Sequence, residues 1–157
     1  MIRDNHYLEN RLTSVKERLF SELPAVGSQI NFGRRARTRL GSIKPTDNGS
    51  IITLNGLFKD ETVPEKIIDL TIAHELCHYY HGFTGEQPRL FHYPHQGGIV
   101  DRELQNRGAG DDLKFQKKWL KEDWPKIIQI NFGTKRRIRK RTFRRRPLSI
   151  IDLIFVR

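Results

Sequence analysis

The chain has 157 residues, a formal net charge of +11 and a mean hydropathy of −0.63. That length fits one domain with a core of its own, and no apolar run reaches the roughly 20 residues a membrane-spanning helix needs. The single cysteine, Cys77, excludes an internal disulfide and fits a reducing compartment.

Met1 to Asn5 carry no apolar signal core, and the expected location is cytoplasmic, or nucleoid- or nucleus-associated. The charge is unevenly placed. Nine basic residues (Lys135, Arg136, Arg137, Arg139, Lys140, Arg141, Arg144, Arg145 and Arg146) fall within twelve positions that hold no acid. Subtracting these nine from +11 leaves +2, so any signal for an anionic partner is local.

In chain order, Leu8, Leu12, Val15, Leu19 and Leu23 recur at helical spacing. They predict an amphipathic helix over residues 5–23, ended by Pro24 and Gly27. Ser28 to Leu40 alternates as a strand, with Ile30 and Phe32 followed by Arg34, Arg35, Arg37 and Arg39. Gly41 and the cluster Pro45-Thr46-Asp47-Asn48-Gly49 read as a turn, and Ser50 to Leu54 as a second strand. The pair predicts a hairpin. Its charged edge either holds an extended substrate or deters aggregation.

The most informative stretch is Thr71-Ile72-Ala73-His74-Glu75-Leu76-Cys77-His78, which contains His-Glu-x-x-His. On a helix, residues four apart share a face, so His74 and His78 can point at one ion and supply two of zinc's four positions. Glu75 then lies beside the open position, where it can accept a proton from a zinc-bound water. Thr62-Val63-Pro64-Glu65 predicts a capping box at the helix start, and Gly82 marks its stop. Ile68, Ile72, Leu76 and Tyr79 form an apolar stripe widened by Ala73, Cys77 and Tyr80. Cys77 lies off the histidine face and reads as core filler. The two histidines could also be satisfied core polar groups, but a capped helix with one polar stripe is what a core metal site requires.

A third ligand must come from elsewhere. His81 is about 10 Å along the helix from His74 at the standard rise, too far to share the ion, and reads as a helix-end residue favoured by the macrodipole. Glu86 is too near in sequence to fold back. His92 and His95, in the loop from Phe83 to Gly98, and Glu103, in the segment Ile99 to Arg107, all remain open.

The run from Leu54 through His95, above all Ile72 to His78, resembles the SprT-like zinc metallopeptidase family. Domains of that family have a hairpin ahead of the His-Glu-x-x-His helix. A third histidine follows it, just before a glycine and another helix. The resemblance extends over roughly residues 28–125 and implies His95 as third ligand, with His92 in reserve. Here Gln96 stands between His95 and Gly97-Gly98, where the family has a glycine directly after the histidine. The metzincin pattern is absent, since His81 and Thr84 occupy its glycine and third-histidine places. A gluzincin arrangement would use Glu103.

Asp111 to Trp124 predicts a further helix capped by Asp111 or Asp112 and ended by Pro125, with both tryptophans in packing roles. Ile127 to Phe132 and Ile150 to Val156 are β-rich runs flanking the basic stretch, which predicts a C-terminal basic hairpin. Such a cluster would bind DNA or RNA in a salt-dependent, sequence-independent way. A solvated charge run or an anionic-membrane patch are the alternatives. Ile130-Asn131-Phe132-Gly133 repeats Ile30-Asn31-Phe32-Gly33, too short to signal a duplication.

The expected fold is α+β, a small zincin-like domain over residues 1–126 with a basic extension over 127–157. The expected activity is zinc-dependent peptide hydrolysis near nucleic acid, with His74, His78 and His95 holding one Zn2+ and Glu75 as base. Tyr79, Tyr80 and Tyr93 are the nearby phenols that could assist the oxyanion. The alternatives are a nucleic-acid-binding protein with a structural zinc, or a zinc hydrolase of non-peptide substrates.

Overall fold

The carboxylate of Asp4 accepts the Tyr7 backbone N–H at 2.8 Å and so opens the first helix, α1 (Asn5–Leu19). In this computed structural model, residues 2–23, 28–84 and 87–133 are described. Tyr7, Leu8, Leu12, Val15 and Leu19 form the buried stripe of α1. The helix stops sooner than its periodicity predicts. Arg107 donates to the Leu19 carbonyl and lies 4.2 Å from the Phe20 ring centroid, so Phe20 and Leu23 reach the core from a turn.

Three strands follow: β1 (Ser28–Phe32), β2 (Gly41–Thr46) and β3 (Gly49–Leu54). The sheet order is β1-β3-β2. β1 runs parallel to β3 and β2 antiparallel to it, with Thr46 opposite Gly49. The expected hairpin therefore exists with a different first arm. Residues 33–40 leave the sheet, and residues 41–46, expected to include the turn, form the arm instead. Asp47 and Asn48 alone make the connection. Pro45 is accommodated because β2 is an edge strand, where a missing N–H costs no ladder bond. The 33–40 segment is held instead by one side chain, Asn55. Its amide donates to the Ala36 and Arg39 carbonyls, and its oxygen accepts from the Ala36 and Leu57 N–H groups.

The long helix α2 (Glu65–Tyr80) is buried along its length from Ile67 to Tyr79. The expected capping box is not formed. Pro64 is the N-cap, the Thr62 N–H donates to Asp60, and Glu65 accepts from the Tyr7 hydroxyl. Arg11 of α1 makes a two-pronged ion pair with Asp69, which fixes α1 against α2. The stop at Gly82 is as expected: the helix ends at Tyr80, and Gly82 adopts φ 76°.

After the loop come α3 (Ile99–Asn106), α4 (Gly110–Glu122) and α5 (Trp124–Phe132). Leu104, Leu113, Trp119, Leu120 and Trp124 are buried, whereas Phe115 is exposed under the Lys66 ammonium. The strand expected over 127–132 is a helix. Pro125 sits in the first turn of α5, where its lack of an N–H is harmless, so it starts a helix after ending one. Ile127, Ile128 and Phe132 pack on the core from α5, which runs unbroken across the expected boundary at 126/127. Among the described residues this is an α+β fold of five α-helices and a three-stranded sheet, and none of its helices is long and apolar enough to cross a membrane. The basic cluster 135–146 and the run 150–156 lie outside the described residues.

Candidate metal centre

His74, Glu75 and His78 stand on the middle of α2, all buried. His95 comes from the loop that runs back over the C-terminal end of that helix. Three contacts carry the loop. The Leu90 N–H donates to the His81 carbonyl at 3.1 Å, the Phe91 ring meets the His81 ring edge-on at 4.9 Å, and Arg89 donates to the Phe91 and His92 carbonyls. The loop then enters α3 through Gly97 and Gly98, with φ of 56° and 72°. Both lie in the left-handed region that glycine enters freely.

The result is a group of three imidazoles. One nitrogen from each of His74, His78 and His95 lies within 4.8 Å of the others. The His74 and His95 rings stack at 5.2 Å, and His78 stands edge-on to both, at 4.8 Å and 4.7 Å. Burial and the proximity of His78, His95 and His81 hold the His74 pKa well below the ordinary histidine value. Its neutral form, the one that binds metal, is therefore favoured. Three mutually close, largely buried imidazoles cannot all carry charge. A nitrogen-rich set of this kind suits zinc, with three protein ligands and a fourth position left for water or substrate. The residues present fit one such ion.

The other candidates go elsewhere. His92 and Tyr93 are exposed neighbours, their rings 5.6 Å apart. Glu103 accepts from Arg107 at 2.7 Å and lies 3.8 Å from His81. Tyr80 lies under the Arg107 guanidinium at 4.6 Å, and Tyr79 is in the core. Cys77 is buried, and burial pushes its thiol pKa up, away from reactivity. His81, read from the sequence as a helix-end residue favoured by the macrodipole, does end α2, but it is 1 % exposed and anchors the loop that carries His95, with α3 on its other side. Its place at the end of a buried helix was the available signal.

Glu75 is 2 % exposed, next in the chain to His74. Its carboxylate lies over Gly41, the first residue of β2. Glu75, between the two histidines of α2, thus meets the edge strand at its first residue. Searches with this chain against protein-family models, curated proteins and solved structures returned no match.

Proposed function

We propose that this chain is a zinc-dependent metallopeptidase of the SprT-like kind. In this reading His74, His78 and His95 hold one Zn2+ and Glu75 is the general base. The observation that carries it is the convergence of the three imidazoles with a buried carboxylate one residue from the first. A helix supported by a sheet with a free edge strand, and followed by α3, is consistent with a small zincin-like domain.

When bound, zinc would polarise the scissile carbonyl and lower the pKa of water at its open position. The protein's own part falls to Glu75. Its carboxylate takes a proton from the attacking water and returns it to the leaving amine. Its burial beside His74 and His78 keeps bulk water from competing. The basic residues 135–146 would add salt-sensitive affinity for DNA or RNA and so bring the enzyme to proteins bound there.

The test is hydrolysis of a denatured protein and of peptide pools by the zinc-loaded chain and its Glu75→Gln variant. The variant should keep one zinc and lose about 10²-fold or more of the rate. Equal rates in both would refute Glu75 as base. Cleavage of an ester or RNA, but of no peptide, would move the chain to a non-peptide hydrolase.

A further inference from the structure

Arg34, Arg35, Arg37 and Arg39 lie in six residues without an acid, on the segment that Asn55 staples. Two of the four are engaged at the end of α5. Arg35 donates to Asn131, and Arg37 donates to the Phe132 carbonyl and lies over the Phe132 ring. Arg34 and Arg39 are different. Both are exposed, and among the described residues no ion pair engages either.

These two arginines line a cavity of about 360 Å³, completed by Gly33, Thr38, Gly41 and Thr53 among others, and none of its described lining residues is acidic. The volume lies within the range of small-ligand pockets. Its walls are fixed. The Asn55 side chain, 4 % exposed, ties the loop through three backbone groups of Ala36 and Arg39, and the Trp124 indole N–H donates to the Arg37 carbonyl. Gly41 belongs to two sites at once: it lines this cavity, and its Cα faces the Glu75 carboxylate.

We propose that the cavity is a specificity pocket for an acidic side chain of an extended peptide lying along the outer edge of β2, which no other described strand covers. This deepens the peptidase reading and rests on it. A carboxylate entering between Arg34 and Arg39 would gain charge-assisted hydrogen bonds, while the backbone beside it passes Gly41 and Glu75. A nucleic-acid backbone fits less well. It needs a row of cations along successive phosphates, and the row is broken where Arg35 and Arg37 turn to α5.

The experiment uses the full-length, zinc-loaded Glu75→Gln protein, which binds without cutting. Fluorescein-labelled peptide pools, randomised around a central Glu or a central Gln, are titrated by fluorescence anisotropy. The Glu pool should bind about tenfold more tightly. Arg34→Gln/Arg39→Gln should erase that preference and leave the melting temperature and zinc content in place. Equal binding of both pools, or a preference that survives the double substitution, overturns the pocket. So does a single-stranded oligodeoxynucleotide that outbinds the Glu pool and depends on the same two arginines. Cleavage of the same pools by the wild-type chain separates the two readings. Cleavage without a Glu preference sinks the pocket alone, and an arginine-dependent Glu preference with no cleavage sinks the peptidase alone.

Discussion

Gly41 of the edge strand lies directly against the Glu75 carboxylate of α2. A Cβ at position 41 would sit 2.9 Å from Glu75 Oε1 and 2.8 Å from Thr71 Cγ2. Thr71 cannot yield easily, because its hydroxyl donates to the Ile67 carbonyl inside the helix. The carboxylate end of Glu75, flexible and unbranched, would move instead. Gly41→Ala should therefore leave zinc content unchanged, cost on the order of 1–3 kcal/mol in stability, and lower kcat more than it raises KM. Unchanged kcat would show that the position of the carboxylate over Gly41 is not the working one.

The third ligand can be decided by elemental analysis. His95→Ala removes one of the three converging imidazoles and should lose the zinc. Glu103→Ala should keep it, because that carboxylate is engaged with Arg107 and His81. It should instead lower the melting temperature, because Arg107 loses one of its two carboxylate partners and keeps only Glu22. Zinc lost in Glu103→Ala and kept in His95→Ala would shift the site to a gluzincin arrangement.

Asn55 should prove the costliest polar residue outside the metal centre. It is buried, and its side chain makes four hydrogen bonds to backbone groups of the arginine segment and of the turn after β3. Asn55→Ala strands those donors and acceptors, each worth about 1 kcal/mol, and should destabilise the fold by roughly 3 kcal/mol or more. Denaturant unfolding measures it. A loss below about 1 kcal/mol would mean that the segment holds its shape without Asn55.

What could be read from the sequence was what is local. His74, Glu75 and His78 follow from a four-residue spacing and a helical period, and the buried stripe of α1 from another. His95 carries no period, and only the resemblance selected it among His92, His95 and Glu103. The fold brings it in through His81, a contact between a helix end and a loop with no sequence signature. Ile-Asn-Phe-Gly makes the point most directly, being strand in β1 and the last turn of a helix in α5. Local preference for β-branched residues is worth too little to resist packing on a core. The 33–40 segment misled in the same way: its alternation suggested a strand, while one asparagine beyond β3 decided its path.

Acid should weaken the metal-free protein through its buried histidines before the pH reaches the ordinary carboxylate range. Burial lowers the pKa of His74 and of His81, for His81 against an opposing pull from Glu103. In the unfolded chain both return to about 6.5. Between that value and their folded-state values, the unfolded chain binds more protons than the folded one, so stability rises with pH across that window. Their neutral, buried state thus contributes full stability above about 6.5, and the contribution falls away as pH drops toward the folded-state values. The slope is at most about 1.4 kcal/mol per pH unit for each group. Carboxylates with lowered pKa, such as Glu22 beside Arg107 and Asp60 on the Thr62 N–H, act only further down, below their ordinary values of 4.5 and 3.8. Melting curves of the chelator-treated chain should therefore shift to lower temperature between about pH 7 and pH 5. His81→Asn should reduce the shift, and zinc should steepen it by competing with protons for the same imidazoles. A melting temperature flat across that interval would mean that the buried histidines accept protons without cost, and the neutral ligand set would have to be abandoned.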